Sequence, residues 1–259
     1  MEGKIIPKQF RLNLSRKIIK KVFLTVDIDW ASEYLIESFL DEILTQNIRP
    51  LLFCTHKSNS IKYCIEKNLV DVGIHPNFRP NSSHGNSIKN ICEYMLDLFP
   101  NTIISRSHGF IDSPEIQSEL FSRGIKYDSN QLLQNKTRIQ IQKLSSGIIR
   151  IPCFWSDGMI IQNSKKPSYN IQEEKKHTIS SLLKPGFKVL NIHPILFVTN
   201  SNNYKHYEAI REKTTSFCKE DLNFYLNTTE YGVKDFFYEL LKSPTIDLQK
   251  TQEFFKIFE

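Results

Sequence analysis

The sequence predicts an α/β fold built on parallel strands. Short runs of β-branched and apolar residues alternate with longer segments of helical period, the pattern produced when each helix returns the chain to a parallel strand. A chain of 259 residues with 40% hydrophobic and 24% charged residues can form an ordinary buried core. No apolar run approaches the roughly 18 residues that a membrane-spanning helix needs, which favours a soluble protein.

Seven strands are predicted, with helices between them. The strands are expected at residues 22–28, 50–55, 70–74, 102–105, 125–127, 148–151 and 187–192. Helical spacing of apolar residues predicts helices over 32–46 and 87–98. Ser113 and Pro114 mark the start of another helix, and Gly124 lies just past its expected end.

The predicted organisation is a basic N-terminal arm over 1–20 followed by a single domain over 21–259. Residues 130–147 and 200–207 are predicted as loops, and neither has the Pro, Gly or Ser content of an interdomain linker. The domain is expected to end in a helical extension over about 200–259. Its amphipathic helix is predicted from Val233, Phe236, Phe237, Leu240 and Leu241.

The positive charge of the chain is concentrated at its N-terminus. Residues 1–21 contain seven Lys and Arg against Glu2, which accounts for the whole net charge of +6 and leaves the rest balanced. A nucleic-acid partner is not expected, because its binding face would spread basic and aromatic residues over the folded domain. The basic arm suits either a solvated segment or contact with an anionic membrane surface.

The cysteines and the leader predict a cytoplasmic protein, with the inner membrane surface as an alternative through the arm. The apolar residues of the leader are interrupted by charges, so no secretory signal is expected. The five cysteines are odd in number, widely spaced and without a Cys-x-x-Cys pair, which is typical of reduced thiols.

Two aspartates, Asp27 and Asp29, end the first predicted strand. Alternate residues of a strand point to the same side, so these carboxylates converge. Converging carboxylates repel each other, which favours a shared proton or a bound cation. The structural alternative is that Asp29 caps the helix beginning near Ser32 while Asp27 bonds to a loop. The pair alone leaves both interpretations open.

Histidines follow two further predicted strands, His75 after the third and His193 after the last. Arg106 and His108 follow the fourth strand, and His84 lies in the loop after the third. Catalytic groups of α/β folds gather at the carboxyl ends of strands. A mixture of Asp and His is typical of zinc and similar cations, with one position left open for water. Together these residues favour a metal-dependent enzyme.

The motifs resemble the polysaccharide deacetylase, or NodB-homology, family of metal-dependent amidohydrolases. They are most similar to the WbmS-type branch associated with bacterial surface-polysaccharide gene clusters, and the likeness covers roughly residues 21–197. The motifs are Thr25-Val-Asp-Ile-Asp29, Gly73-Ile-His-Pro-Asn-Phe78, Ser82-Ser-His-Gly85, Arg106-Ser-His108 and Leu190-Asn-Ile-His193. The resemblance implies a distorted (β/α)7-type barrel.

The resemblance also implies roles for individual residues. Asp27 matches the general base and His193 the general acid of the family. Asp29 and His75 match metal ligands, and Arg106 matches the arginine that orients the base. The implied cofactor is one divalent metal ion, with Zn²⁺ as the first expectation.

The sequence departs from the family at two motifs. The usual second histidine, four residues after the first, is absent, so the third ligand is either His84 or His108, with His84 favoured. The family's Arg-x-Pro is altered to Arg106-Ser107-His108, which predicts a differently built substrate pocket. The aspartate that tunes the acid is Asp157 or Asp128. Further candidates for metal or substrate contact are His108, Asn77, Asp128 and Trp155.

The implied reaction is hydrolysis of an amide, the N-deacetylation of an amino sugar in O-antigen or capsule biosynthesis. The sugar is expected to be nucleotide-linked, lipid-linked or part of a glycan. One alternative is an inactive carbohydrate-binding relative, which the altered motifs leave open, although such a protein would need neither Asp27 as base nor His193 as acid. The other is a glycosyltransferase that uses Asp27 and Asp29 on a nucleotide sugar, but it leaves His75 and His193 unexplained.

Overall fold

A computed structural model describes residues 21–137, 139–184, 188–242 and 247–248 of the chain. The predicted basic arm, Phe187 of the last predicted strand and most of the segment after residue 242 lie outside these ranges. Among the described residues, no helix combines the length and apolar character needed to cross a membrane.

The described strands form one mixed sheet of ten. They are β1 (Lys21–Asp27), β2 (Leu51–Cys54), β3 (Asp71–Ile74), β4 (Ile104–Ser105), β5 (Tyr127–Asp128), β6 (Gln142–Lys143), β7 (Ile149–Arg150), β8 (Trp155–Ser156), β9 (Lys188–Ile192) and β10 (Asp247–Leu248). Their order is β6-β7-β5-β4-β3-β2-β1-β9-β8, with β10 beside β1. Only the β6–β7 pair of the described strands is antiparallel, so the predicted parallel α/β class is confirmed. The sequence predicted seven strands and missed β6, β8 and β10, which are two residues each and too short to show a period.

Helices follow most strands and cover the sheet. They are α1 (Glu33–Leu44), α2 (Asn59–Glu66), α3 (Ile88–Leu98), α4 (Pro114–Ser122), α5 (Asp157–Asn163), α6 (Ile171–Leu182), α7 (Pro194–Val198), α8 (Tyr204–Ile210), α9 (Lys219–Tyr225) and α10 (Val233–Lys242). Serine side chains cap several of them; Ser32, for example, accepts the backbone N–H of Leu35 at the start of α1. The prediction of a loop over 200–207 is wrong in its second half, because Asn203 caps α8 and accepts the N–H of His206.

The two faces of the sheet carry different apolar clusters. Phe23, Phe53 and Val189 belong to a small cluster that contains no helix residue, whereas neighbouring strand residues such as Leu24 and Leu190 join the large cluster that includes the helices. The sheet curves into a half-barrel. Because side chains alternate along a strand, the first cluster fills the inside of this half-barrel. The site residues at the ends of β1 and β9 continue this inner face.

The inner face is packed closely at Gly73. A Cβ built there would lie 2.9 Å from both Ile104 Cγ2 and the ring of Phe53, and the Phe53 ring in turn lies 4.3 Å from the Arg106 guanidinium carbon. Glycine at this position therefore makes room for the ring on which a buried arginine rests.

Replacing Gly73 with Ala is expected to lower the free energy of unfolding by about 1–3 kcal/mol, the usual cost of overpacking a core. Urea-unfolding curves measure the change. Gly158→Ala is the matched control, because its Cβ would meet its nearest heavy atoms at an ordinary 3.6 Å. A Gly73→Ala protein as stable as its parent would show that the inner face can accommodate a Cβ at this position.

Candidate active site

Residues at the carboxyl ends of four parallel strands, β1, β3, β4 and β9, line one cavity of about 460 Å³. Asp27 and Asp29 come from the end of β1, His75 from β3, His108 from the turn after β4, and His193 from β9. This is the edge at which α/β barrels place their catalytic groups. The structure therefore brings together five of the residues singled out in the sequence.

Asp27 is buried and accepts hydrogen bonds from two side chains. Its Oδ1 accepts from Arg106 Nη1 at 2.9 Å, and its Oδ2 accepts from Asn191 Nδ2 at 2.7 Å. Burial raises the pKa of Asp27, but the charges of Arg106, His75 and His193 outweigh it and hold this pKa below its ordinary value. Asp27 is therefore an ionised carboxylate at neutral pH.

Asp29 holds two histidines on one carboxylate oxygen. Asp29 Oδ1 lies 3.1 Å from His75 Nε2 and 2.8 Å from His108 Nδ1. Burial raises the pKa of Asp29, but the hydrogen bonds from His108 and His75 outweigh it and keep this pKa well below its ordinary range. The carboxylate is ionised and opens to the cavity with 24% of its side chain exposed.

The cluster of Asp29, His75 and His108 fits a divalent metal ion. Its three donor atoms lie within 4.8 Å of one another. Ligands of a tetrahedral zinc with bonds of about 2.0–2.2 Å stand roughly 3.3–3.6 Å apart, so the two contacts at Asp29, at 3.1 and 2.8 Å, would lengthen by a few tenths of an ångström around an ion. The other ring nitrogen of His75, Nδ1, is buried, has no hydrogen-bond partner in the described part of the chain, and lies 4.0 Å from Asp27 Oδ1. Metal-binding histidines commonly turn that nitrogen towards a carboxylate.

His193 is held by Asp157 and faces both aspartates of β1. Its Nδ1 lies 2.6 Å from Asp157 Oδ1, and its backbone N–H donates to the other oxygen at 2.8 Å. Its Nε2 lies 3.8 Å from Asp27 and 3.6 Å from Asp29. Burial lowers the pKa of His193, but the charge and hydrogen bond of Asp157, together with Asp29 and Asp27, raise it to about 10. The imidazole is therefore protonated at neutral pH.

In the metal-free protein, protonation of His193 contributes to the free energy of unfolding. The folded-state pKa of His193, about 10, exceeds its ordinary value of 6.5. The contribution of the proton to stability is therefore complete below about pH 6.5 and is lost as the pH rises towards 10.

His84 and Asn77, two further candidates, do not line the cavity. The backbone N–H of Asn77 donates to His84 Nδ1 at 3.1 Å, and the His84 ring lies between Trp30 and Tyr94. Its Nε2 is buried and has no hydrogen-bond partner among the described residues. His84, favoured from the sequence as third ligand, is thus outside the donor cluster, which contains His108 instead.

Asp128 and Trp155 also lie away from the cavity lining. Asp128 pairs with Arg150 at 2.6 Å, so Asp157, and not Asp128, contacts His193. Trp155 is fully buried and stacks on Phe236 with ring centroids 4.7 Å apart. Its ring faces the core instead of offering a platform for a sugar.

Sequence reasoning missed four residues of the site. Asn191 lies two positions before His193 on the same strand, so the alternation rule was a signal for it. Trp30 lines the cavity with a left-handed backbone, φ 54°, directly after Asp29 at φ 44°. Tyr207 and Arg211 line the cavity from the segment after β9, where the sequence predicted a polar loop and a helical extension without a site.

Comparisons with known proteins agree with this architecture. The crystal structure of WbmS from Bordetella bronchiseptica, assigned as a polysaccharide deacetylase involved in O-antigen biosynthesis, is similar with a TM-score of 0.73 and 25% identity, covering 89% of this chain and 93% of that one. A protein from Mycobacterium smegmatis, assigned as a polysaccharide deacetylase, is similar with a TM-score of 0.53 and 11% identity, covering 91% and 88%. No curated protein sequence matches the chain significantly.

These likenesses confirm the predicted fold class, a distorted barrel of the NodB-homology kind. The family profile of the WbmS-like polysaccharide deacetylases matches residues 24–211. The chain belongs to this family, as the motifs predicted.

Replacing Asp157 with Asn is expected to lower the pKa of His193 from about 10 towards its ordinary 6.5, because the variant removes the largest opposing charge. NMR titration of the histidine rings, after removal of metal with a chelator, measures this pKa. An unchanged titration of His193 would mean that other groups hold its proton.

Proposed function

We propose that the protein is a metal-dependent amidohydrolase that removes the acetyl group from the nitrogen of an amino sugar. The observation that carries this proposal is the pairing of an ionised Asp27 with a protonated His193 across one cavity, beside a cluster of metal-ligating side chains. Groups whose environments drive their pKa values apart are the usual base and acid of an enzyme. The likeness to WbmS supports a place in the biosynthesis of a surface polysaccharide such as O-antigen.

We propose Asp29, His75 and His108 as the residues that hold the metal. An Asp and His donor set suits zinc, which we propose as the ion. Bound there, a divalent ion would polarise the acyl carbonyl and lower the pKa of a water molecule towards about 7. His84 instead fixes the turn after His75, through its bond to the N–H of Asn77.

Asp27 accepts the proton of the attacking water in this proposal. Arg106 and Asn191 each occupy one lone pair on a different carboxylate oxygen, which fixes the carboxylate and leaves lone pairs free to face the cavity. The low pKa keeps Asp27 ionised but makes it a weak base. It therefore depends on a water molecule whose own pKa is lowered.

His193 donates a proton to the leaving nitrogen. Amide cleavage without this proton would expel an unstable amide anion, so the acid must be charged before the C–N bond breaks. Asp157 keeps the imidazole protonated through Nδ1, and the opposite nitrogen, Nε2, points to the two aspartates of β1. The acid and base thus act from neighbouring positions on one cavity.

The alternatives explain less of the site. An inactive carbohydrate-binding relative would need neither the buried base nor the charged acid. A glycosyltransferase would use Asp27 and Asp29 on a diphosphate, but both oxygens of Asp27 already accept hydrogen bonds from Arg106 and Asn191.

We place the reaction in the cytoplasm on a nucleotide- or lipid-linked sugar, in line with five unpaired cysteines. Contact of the basic arm with a membrane stays a prediction.

Replacing His75 or His108 with Ala is expected to remove bound metal, whereas His84→Ala should retain about one ion per chain. Elemental analysis of the purified proteins after dialysis against zinc measures this content. The His84→Ala protein is the matched control, because the same substitution is made at a histidine that does not belong to the donor cluster. Loss of metal in His84→Ala with retention in His108→Ala would reassign the third ligand to His84.

Replacing Asp27 with Asn is expected to reduce kcat for acetate release by about 100-fold or more, the usual loss on removal of a general base. Metal content should be retained, because Asp27 is outside the donor cluster. Acetate is measured with free, nucleotide-linked and oligomeric N-acetylated sugars. Asp41→Asn, the same change on an exposed position of α1, is the control. Equal turnover in Asp27→Asn and parent would remove Asp27 from the mechanism.

A further inference from the structure

Two arginines beside the catalytic cavity have no role in the chemistry above. We propose that Arg79 and Arg211 form an anion-binding subsite at the mouth of this cavity, so that the amino sugar carries a carboxylate or a phosphate close to its N-acyl group. This inference rests on the proposed function and names the substrate class of the same site.

Arg211 reaches the cavity from the end of α8. It lines the cavity, and its side chain is 45% exposed. Its one ion-pair contact among the described residues is with Glu212 at 4.0 Å, and the Glu212 side chain is 87% exposed. An exposed pair at this distance contributes little, so the Arg211 guanidinium is available to a ligand.

Arg79 lies on the loop after β3, beside the cavity but not among its lining residues. Its guanidinium packs against Gly109, which lines the cavity; a Cβ built on Gly109 would lie 2.6 Å from Arg79 Nη2. Gly109 has φ +66°, a conformation that favours glycine. Glycine therefore serves both the turn and the close approach of the arginine. Within the described part of the chain, no ion pair is formed by the Arg79 side chain.

Tyr207 lies within range of the charges of both arginines. Burial raises the pKa of its hydroxyl and Asp29 adds to this, whereas Arg211 and Arg79 both act in the opposite direction. Both guanidinium groups therefore lie within electrostatic range of one hydroxyl that lines the cavity. Although they come from distant parts of the sequence, one guanidinium lines the cavity and the other packs against a residue that lines it.

The cavity offers these cations no carboxylate of its own. Its acidic lining residues are Asp27 and Asp29, and both are already bonded to arginine, asparagine or histidine. Two guanidinium groups of like charge are best satisfied by a shared anion, and arginine matches the paired oxygens of carboxylate and phosphate. A cavity of about 460 Å³ is within the range for small ligands, so it can accept a sugar that carries such a group.

Two sources can supply the anion, and the test separates them. Three N-acetylated probes are compared: N-acetylglucosamine, which is neutral; 2-acetamido-2-deoxyglucuronic acid, which adds a ring carboxylate; and UDP-N-acetylglucosamine, which adds a diphosphate. The expected result is that kcat/KM of the parent is at least about tenfold higher for one charged probe than for the neutral one. The preferred probe identifies the anion as carboxylate or phosphate.

Arg79→Gln and Arg211→Gln are each expected to lower this preference about tenfold, with the change in KM larger than the change in kcat. Lys205→Gln is the matched control, because Lys205 is an exposed cation on α8 that does not line the cavity. The control should keep the preference of the parent. High salt should reduce the preference of the parent as well.

The outcomes separate this inference from the proposed function. If all three probes are hydrolysed with similar kcat/KM, or if the arginine variants keep the preference of the parent, the subsite is overturned while the deacetylase function stands. If the parent hydrolyses none of the probes, equilibrium dialysis with the two charged probes decides. Binding that weakens in both arginine variants supports the subsite, and binding that does not weaken overturns it.

Discussion

A single buried cation, the guanidinium of Arg106, is the interaction on which the site depends. The side chain is fully buried and donates to Thr25, Asp27, Asn191 and Ser129. It therefore ties the end of β1 to β9 and to the residue after β5 from its own position after β4. A buried charge left without its partner costs about 3–5 kcal/mol, so the ionised state of Asp27 and the closure of the half-barrel depend on the same contact.

Charges alternate outward from this guanidinium. Arg106 stabilises the negative charge of Asp27, Asp27 and Asp29 face the positive His193, and His193 rests on the buried Asp157. Each group stabilises the ionised form of its neighbour, which is how a carboxylate with a lowered pKa and an imidazole with a raised one stand less than 4 Å apart. The opposite protonation states follow from the position of each group in this series, because burial by itself raises the pKa of Asp27 and lowers that of His193.

The sequence predicted the part of the site that strands control. Asp27, Asp29 and His193 were placed correctly at one edge because side chains alternate along a strand and the carboxyl ends of parallel strands share an edge. The sequence favoured His84 over His108, whereas the donor cluster contains His108. Their positions depend on a short turn after β4 and on a loop after β3. Neither segment has a period, and the fold of each is set by tertiary contacts such as those of the His84 ring with Trp30 and Tyr94.

The turn after β4 explains why the altered third motif changes more than one property. Arg106 donates a hydrogen bond to Asp27, His108 joins the donor cluster two residues later, and Gly109 next to it leaves room for Arg79. A proline in place of His108 would remove a donor from the cluster. A side chain at Gly109 would displace the Arg79 guanidinium. One four-residue turn thus contains both a residue of the donor cluster and the glycine against which Arg79 packs. Under the proposals made above, a change in this turn would affect metal binding and substrate recognition together.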